Sequence, residues 1–575
     1  MILYLKNNTL IILLIALISA VIFIPFIGNC HLFDWDEINF AECAREMVVS
    51  GNYSHVQLNY RPFWEKPPLF IWLQAASMNV FGVNEFAARL PNAICSIISL
   101  LTIYLIGKKF HSQKFGVLWA FLYGASLLPH LYFKSGIIDP WFNLFIFISV
   151  YNCLQFINNP NGKKEIINAL LAGLFLGGAV LTKGPAAIVI VGLTLLAYFI
   201  WTKQLKLFLT KPFLIFAITT LFVSGSWFMV EWLKGNGDVV KEFIDYQVRL
   251  ITTEDSGHSG PFIYHFVVLL IGCFPASLIF IASYLNYKDL TPYQKQIRKI
   301  FICLFWVVLL LFSFAQTKIV HYSSLCYFPL TFIATIGIVQ NFERLKFNTT
   351  LKVLYWIVTG LLTLAFAAIG LIDILKPHII NSGIIKDDFA VQNLNADVNW
   401  TGFESLIVLA FLISAILVYM AINKHKIKLL YYGMFFNLLF IYLTINVMVP
   451  KVEQYSQHAA IEFYKACAKH DCYIETHGFK SYAYLFYSNR TPKDYSNKEQ
   501  IRITNDMQDI WEKQGTSRLV TFPMANLYWM EHYEVDKPAY IVTKIEYEAE
   551  LRQNPELKEL YSKNGFCFFV KMPAK

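Results

Sequence analysis

Runs of about twenty apolar residues recur along most of this chain, and short polar segments separate them. A helical run of that length spans the hydrocarbon core of a bilayer. The pattern predicts an all-α polytopic membrane protein with about thirteen spanning helices. Some runs fall short of this length, which suggests tilted or half-inserted helices around a cavity. The predicted spans are 10–28, 89–108, 114–133, 140–157, 166–182, 185–201, 212–232, 262–285, 300–316, 320–340, 351–373, 402–422 and 428–448.

Positive charge concentrates in alternate connections between these spans. The basic connections are 108–114, 163–164, 202–211, 286–299, 341–350 and 424–428. Because short cytoplasmic loops are enriched in lysine and arginine, this alternation predicts a cytoplasmic N-terminus. No convincing small-residue cleavage site follows the first apolar run, so we interpret it as a retained helix. The other connections then lie outside the cytoplasm, and their polar residues gather at one mouth of the bundle.

The tail changes character at about residue 450. Charged and aromatic residues alternate there in short pieces, and the run Phe566–Val570 is typical of a strand. We therefore predict a membrane catalytic domain over 1–449 and a small α/β or α+β extracytoplasmic domain over 450–575. Cys467 and Cys472 would share that compartment, where a disulfide between them is a candidate.

Composition agrees with the apolar pattern. Of the 575 residues, 56% are hydrophobic and only 15% are charged, against roughly 25% charged in soluble domains. The net charge of +9 does not indicate a nucleic-acid partner, because much of the lysine and arginine lies in short loops that orient helices. The ten cysteines include no CxxC pair, so a structural zinc knuckle is not expected. Gly173 and Gly177 form a GxxxG motif, which indicates close helix packing.

The loop 34–88 stands out because it is acidic and aromatic within an apolar chain. It opens with Asp34, Asp36 and Glu37. Asp34 could be the N-cap of a helix with Glu37 three residues later, and that helix would lie on the membrane surface. Asp36, just above the bilayer, could instead act as a base or orient a nucleophile. The arginines of this loop, Arg45 and Arg61, are interpreted as partners of the acids or of lipid headgroups.

The same loop closes with Glu65, Lys66 and two prolines, which present the two charges on a rigid backbone. The two charges could form a surface pair, or Lys66 could bind an anionic headgroup such as a phosphate. His258, in a Gly/Ser-rich segment, could be a solvated loop residue or complete a metal site with Glu65. Lys183 and Lys318 lie at outer helix ends. They could snorkel, or could line a cavity that receives an anion.

Several motifs together resemble the GT-C integral membrane glycosyltransferases. They are DEINFAECAREMVVSGNY, RPFWEKPPLFIWL, LTKGP, GHSGPFIY and QTKIVHYSSLCYFPL, and they span about residues 34 to 330. The similarity is to the bacterial lipid A aminoarabinose transferase branch, the ArnT-like proteins, and more distantly to protein O-mannosyltransferases. The tail is only generically similar.

The resemblance implies roles for individual residues. Asp36, with its neighbour Glu37, would be the catalytic acid near the acceptor, and Asp139 would be a pocket acid. Glu65 and His258 would hold a divalent metal, with zinc as the first candidate. The residues implied in binding the donor phosphate or lipid are Lys66, Arg249, Lys318, Lys183 and Tyr322. The segment before His258, TTEDSG, is more acidic than the family pattern.

The leading hypothesis is an inverting glycosyltransferase of the bacterial inner membrane. It would take a sugar from a polyprenyl-phosphate donor and act outside the cytoplasm on a lipid, glycan or protein. A donor with a lipid tail and an anionic leaving group needs apolar grooves and a lysine or a metal. The alternatives are a lipid or glycan transporter, or flippase, and an assembly scaffold. Transporters usually place ionisable residues near the midplane and often show repeated halves, whereas here the charges sit at the outer ends.

Overall fold

The computed structural model describes residues 7–160, 162–252, 259–285, 290–514 and 518–574. The first part of the chain is helical apart from one short hairpin. Its elements are α1 (Asn8–Phe23), α2 (Asp36–Ser50), β1 (Gln57–Leu58), β2 (Arg61–Pro62), α3 (Leu69–Phe81), α4 (Glu85–Phe110), α5 (Gln113–Gly124), α6 (Leu127–Phe133), α7 (Asp139–Asn158), α8 (Lys163–Lys183), α9 (Ala186–Thr202) and α10 (Lys211–Leu233).

The helices continue to the end of the membrane part. They are α11 (Gly237–Thr252), α12 (Tyr264–Gly272), α13 (Ala276–Ser283), α14 (Pro292–Phe314), a 3-10 turn (Val320–Cys326), α15 (Tyr327–Asn341), α16 (Thr349–Gly370), α17 (Ile372–Asn381), α18 (Asp388–Leu394), α19 (Ile407–Lys424), α20 (Ile427–Leu443) and α21 (Val449–Glu453). A π-helical turn joins α20 to α21, so the last membrane helix runs past the predicted boundary at 450.

The structure confirms a multi-pass helical membrane protein. Within the described ranges, nine helices are long and apolar enough to cross a membrane, or eleven if each of two bent pairs counts as one span. Shorter apolar helices are α1, α3 and α9. Each predicted span overlaps one of these helices or bent pairs, while the number thirteen remains a prediction.

Two spans that the sequence predicts as continuous are broken. Helices α5 and α6 meet at 78°, and α12 and α13 meet at 110°. In the second pair the break falls at Pro275, which has no backbone N–H to continue the helix. Apolar length predicts that a segment enters the membrane, but it does not report a bend within it.

Close packing at the GxxxG motif is confirmed. A Cβ atom on Gly173 would lie 2.6 Å from the Cβ of Thr219, and one on Gly177 would lie 2.5 Å from the Cβ of Val223. Both partners belong to α10. Only glycine therefore lets α8 and α10 approach this closely.

Helix α2 is enclosed by other parts of the protein, and its placement on the membrane surface stays a prediction. Residues 37–47 are all buried. The helix packs on α3 on one side and contacts α23 (Ala483–Tyr487) of the tail on the other. A local amphipathic pattern does not reveal that a domain distant in sequence will contact the helix.

The tail forms a small mixed domain, as the sequence predicts. Its other elements are α22 (His458–Cys467), β3 (Tyr473–His477), α24 (Lys498–Lys513), α25 (Arg518–His532), β4 (Ala539–Lys544), α26 (Glu548–Arg552), β5 (Lys558–Lys563) and β6 (Phe566–Lys571). The sheet order is β3-β4-β6-β5, in which β3 and β4 run parallel and the other pairs are antiparallel. Cys467 and Cys472 are free thiols in this structure, so the candidate disulfide is not formed.

The tail sheet contains a carboxylate that titrates near neutrality. Glu475 on β3 is fully buried, and burial raises its pKa to about 7. Asn526 Nδ2 donates a 2.8 Å hydrogen bond to its Oε1. A folded-state pKa above the unfolded value means that this group favours folding at low pH and loses that contribution as pH rises through about 7.

We therefore expect the tail domain to lose roughly 3 kcal/mol of stability between pH 5 and pH 8. Glu475→Gln should remove most of this dependence because the amide stays neutral. Hydrogen exchange of β3 and β4 in the full-length protein measures the effect. Glu499→Gln, at an exposed position on α24, is the matched control and should keep the wild-type dependence. An unchanged slope in Glu475→Gln would contradict the assignment.

Candidate active site

Four side chains from separate elements meet at one end of the helix bundle. Asp36 begins α2, Asp139 begins α7, Lys183 ends α8, and His321 lies in the 3-10 turn before α15. His321 Nε2 lies 3.7 Å from Asp36 Oδ2 and 3.7 Å from Asp139 Oδ2. Lys183 Nζ donates a 2.7 Å hydrogen bond to Asp139 Oδ1. We call these four residues the mouth cluster.

The mouth cluster is enclosed at Asp139 and open at Asp36. The Asp139 side chain is 3% exposed and that of His321 is 14% exposed, whereas that of Asp36 is 40% exposed. Asp139 Oδ2 has no hydrogen-bond partner among the described residues, so His321 is its nearest polar neighbour shown. An accessible carboxylate beside an imidazole that a buried carboxylate orients is suited to accepting a proton from a bound hydroxyl.

The 3-10 turn that carries His321 is held by α7. Asn143 Nδ2 donates a 2.7 Å hydrogen bond to Ser324 Oγ, and Ser324 Oγ donates one of 2.5 Å to the His321 carbonyl. The ring of Tyr132 also meets that of His321 edge-on at 6.4 Å. The imidazole is therefore positioned by its own turn and by two neighbouring elements.

Arg89 of α4 anchors the start of α2. Its guanidinium donates to both carboxylate oxygens of Glu37 at 2.9 and 2.8 Å, and to the carbonyls of Ile27, Cys30 and His31 at 2.7–2.8 Å. Burial alone would raise the pKa of Glu37, but Arg89 holds it below its ordinary value. This anchor places the neighbouring Asp36 beside His321.

The geometry gives Glu37 an anchoring role in place of the predicted catalytic one. Its carboxylate also accepts hydrogen bonds from the backbone N–H groups of Phe33 and Gly136. With both oxygens engaged and the residue 4% exposed, Glu37 cannot meet an acceptor. Asp34 is not a helix cap either, since α2 begins after Trp35 without a side-chain cap. Adjacent carboxylates look alike in the sequence, and the distant Arg89 decides which one stays free.

Lys66 lies next to the mouth cluster against helix α11. Its Nζ is 3.5 Å from the Tyr246 hydroxyl and 5.1 Å from the centre of the Tyr246 ring. Burial lowers the pKa of Lys66, but Tyr246, Glu65 and Asp36 outweigh it and raise the pKa above its ordinary value. Lys66 is therefore a charged ammonium within electrostatic reach of Asp36.

Helix α11 lies in the connection between the predicted spans 212–232 and 262–285. Its buried face, Val239, Phe243 and Tyr246, packs against Trp64. This contact sets Tyr246 beside Lys66. On the facing side, Lys183 Nζ lies 4.9 Å from the centre of the Tyr322 ring. Two lysine–tyrosine pairs thus lie at the mouth.

Two other predicted phosphate ligands are placed differently. Lys318 Nζ donates to the carbonyls of Phe312, Ser313 and Ala315 at 2.5–3.2 Å, so it caps the C-terminus of α14. This corrects its predicted role, because the ammonium is already satisfied and only 6% exposed. Arg249 lies exposed on α11 with its guanidinium 5.2 Å from the Tyr246 ring centre, at the rim of the site.

Of the two predicted metal ligands, the structure describes Glu65. Glu65 is half-buried, and its carboxylate makes no hydrogen bond within the described part of the chain. His258 lies outside the described residues. The metal site that pairs them remains a prediction.

Sequence reasoning missed the roles of three residues in this region. His321 shows only as a histidine at the start of an apolar run, and Tyr246 falls in the connection between the predicted spans 212–232 and 262–285. Arg89 stands at the first position of the predicted span 89–108, and Lys108 stands at its other end. A charge at the edge of an apolar run is a weak signal for a buried partner, and it is the one indication that could have found Arg89.

The chain is similar in sequence to known membrane glycosyltransferases. Residues 65–228 match the family model described as dolichyl-phosphate-mannose-protein mannosyltransferase. A relative from Wigglesworthia glossinidia brevipalpis is 28% identical over 59% of this chain and 60% of its own length. One from Pectobacterium atrosepticum is 26% identical over 70% of this chain and 71% of its own. Both are named undecaprenyl phosphate-alpha-4-amino-4-deoxy-L-arabinose arabinosyl transferase. The first match thus spans about 60% of its relative's length.

The fold extends the likeness to the whole chain. The crystal structure of ArnT from Cupriavidus metallidurans bound to undecaprenyl phosphate superposes with a TM-score of 0.73 and 15% sequence identity, covering 98% of both chains. The apo crystal structure of the same protein gives a TM-score of 0.71 with the same coverage. In sequence this chain is therefore similar to the arabinosyl transferases and to the mannosyltransferase family model, and its fold is that of ArnT.

Proposed function

We propose that this protein is an inverting glycosyltransferase that takes a sugar from a polyprenyl-phosphate donor. The observation that carries the proposal is the mouth cluster, in which an accessible Asp36 lies beside His321 while Lys66 occupies the neighbouring wall. Proton acceptance and stabilisation of an anionic leaving group are the two requirements of the reaction. The named relatives, arabinosyl transferases that use an undecaprenyl-phosphate sugar, support the same donor class.

In the proposed reaction, an acceptor oxygen attacks the anomeric carbon from the face opposite the phosphate. The new glycosidic C–O bond forms as the bond between that carbon and the phosphate oxygen breaks, and the electron pair leaves on the phosphate. Lys66 stabilises the developing phosphate charge, with Lys183 behind it. A hydroxyl acceptor gives its proton to Asp36, whereas Asp36 only positions a phosphate acceptor that is already ionised. His321 and Asp139 orient Asp36.

We further propose the site of action. The basic connections predict that the mouth cluster and the tail domain face away from the cytoplasm, in a bacterial inner membrane. The acceptor is then a lipid A-like glycolipid, a surface glycan or a protein. A transporter is the weaker hypothesis, since the similarities found are to transferases. Uptake of a polyprenyl-phosphate sugar into proteoliposomes without covalent product would favour it.

A divalent metal at Glu65 belongs to the same proposal. A half-buried carboxylate without a hydrogen bond to the described residues suits a metal ligand, and His258 would be its partner. A bound ion would neutralise charge on the donor phosphate. Elemental analysis of tag-free protein tests this, because Glu65→Gln should lose one equivalent of metal. Equal metal contents in the two proteins would reject the site.

Lys66→Met is expected to weaken binding of a polyprenyl phosphate by about tenfold or more. A hydrogen bond to a charged group contributes about 1.5–3 kcal/mol, and the tyrosine hydroxyl beside it cannot replace the charge. Binding of polyprenyl phosphate without a sugar, measured in detergent, isolates this contribution from chemistry. Lys241→Met, at an exposed position on α11, is the control and should bind as wild type does. Equal affinities in both variants would remove Lys66 from the donor site.

A sugar-transfer assay with purified protein tests the proposed function directly. Purified protein receives polyprenyl-phosphate sugars and candidate acceptors, and mass spectrometry follows the mass gained by the acceptor. Formation of a glycosylated acceptor together with free polyprenyl phosphate is the expected result. Consumption of the donor without a glycosylated product would contradict the proposal.

A further inference from the structure

A second cluster of histidine and carboxylate side chains lies away from the mouth cluster. His31 precedes α2, Glu453 ends α21, and His458 begins α22 of the tail domain. His31 Nδ1 lies 3.1 Å from Glu453 Oε1, and His458 Nδ1 lies 3.2 Å from Glu453 Oε2. We propose that these three residues bind a divalent transition-metal ion of the zinc class and so join the tail domain to the loop that carries Asp36.

The geometry fits such an ion. All three potential ligand atoms lie within 4.8 Å of one another. Metal–ligand bonds of about 2.0–2.2 Å place the ligand atoms of a tetrahedral zinc about 3.3 Å apart. The two nitrogen–oxygen separations already lie close to that value, each to a different oxygen of Glu453. The side chains would close from separations of up to 4.8 Å to bind one ion.

Both imidazoles present the same nitrogen to the same carboxylate. Their rings stack at 5.0 Å with 30° between their planes, which aligns the two Nδ1 atoms on one side. Glu453 is 3% exposed and His31 is 11% exposed, whereas His458 is 32% exposed. The cluster is therefore largely buried and opens to solvent at His458.

The outer nitrogen of His31 has two competing neighbours. Lys465 Nζ lies 2.6 Å from His31 Nε2, and Glu462 Oε1 lies 3.6 Å from the same atom. A metal at Nδ1 requires a proton on Nε2, and that proton is best accepted by a carboxylate. Lys465 must then turn away and Glu462 take its place. Both side chains are exposed by 41% or more, so this exchange costs little.

The position of the cluster shows what an ion would do. Between His31 and Asp36, the tail residue Gln457 accepts from the Asp34 N–H and donates to the Leu32 carbonyl. Tyr487 accepts a 2.7 Å hydrogen bond from the Leu32 N–H. The tail thus already holds the segment that leads to Asp36. A metal would lock this contact, in a structural role independent of the reaction at the mouth cluster.

Metal content and thermal stability of the full-length protein test the proposal. Tag-free protein in detergent is loaded with zinc or cobalt, desalted and analysed. His458→Gln should lose one equivalent relative to wild type, while His470→Gln, at an exposed position beyond α22, should keep it. Cobalt-loaded His458→Gln should lose the part of the ligand-field absorption that belongs to this cluster. Glu65→Gln should keep that part, which separates the cluster from the site proposed at Glu65.

The neighbours of His31 supply a second test. Lys465→Met removes a competing charge and should tighten zinc binding about tenfold, whereas Glu462→Gln should weaken it about tenfold. The alternative is a hydrogen-bonded cluster without a metal, in which the Nδ1–H of each histidine donates to Glu453. In that case a chelator leaves the melting temperature unchanged, and all these variants hold the same amount of metal. Either result would overturn the proposal.

Discussion

Asp36→Asn is expected to lower the rate of sugar transfer by about 10²–10⁴-fold when the acceptor is a hydroxyl. The amide keeps the shape of the side chain and its place beside His321, but it cannot accept a proton. Affinity for the polyprenyl-phosphate donor should change little, because Lys66 and its neighbours form that wall. Single-turnover rates with purified protein measure the effect, and donor binding is measured separately.

Asp34→Asn is the matched control for this variant. Asp34 lies in the same loop, but its partners are the tail residues Ser481 and Tyr482, and it is not part of the mouth cluster. It should transfer sugar at close to the wild-type rate. If Asp36→Asn were as fast as wild type, the carboxylate would not be the base. A rate loss confined to hydroxyl acceptors would show that Asp36 acts as a base, because an ionised acceptor has no proton to give.

Arg89→Met is expected to destabilise the protein by about 3–5 kcal/mol and to abolish activity. The substitution leaves a buried Glu37 carboxylate and three backbone carbonyls without their donor. The start of α2 would then no longer hold Asp36 beside His321. Thermal unfolding in detergent and donor-dependent transfer provide the two measurements.

A double variant distinguishes the ion pair from general loss of packing. Arg89→Met with Glu37→Leu removes both charges and should recover part of the stability, because no unpaired carboxylate remains buried. Arg502→Met, in a pair with Asp506 that is more than half exposed, should cost at most about 1 kcal/mol. Equal losses for Arg89→Met and for the double variant would mean that Glu37 is not the partner that matters.

Much of the membrane architecture follows from local pattern. Apolar length predicts where helices form, and alternating charge predicts which connections share a side. Both are properties of neighbouring residues, so they need no tertiary information. The tail strands at β4 and β6 are visible for the same reason. Bends such as the one at Pro275 are not visible in the local pattern, because they depend on what packs against the broken helix.

For the candidate site too, some residues are visible in the sequence, whereas the role of others is shown only by the structure. Asp36, Asp139, Lys183 and Lys66 are visible in the sequence as polar residues at the ends of apolar runs, and the fold brings them to one mouth. The role of Lys318 could not be read from the chain, since an ammonium that caps α14 has the same sequence signal as one that faces a ligand. Only the distances from Lys318 Nζ to the three carbonyl oxygens show that it caps the helix.

The sequence by itself determined that this is a polytopic membrane protein with its unusual polar residues at the helix ends, because charge is expensive in a bilayer and therefore leaves a pattern. The tertiary structure alone decided which carboxylates are free. Arg89 lies 52 residues from Glu37 and removes it from chemistry. His31 and Glu453 lie 422 residues apart and meet at one cluster. Contacts between such distant positions depend on packing, and packing leaves no periodic signal in the chain.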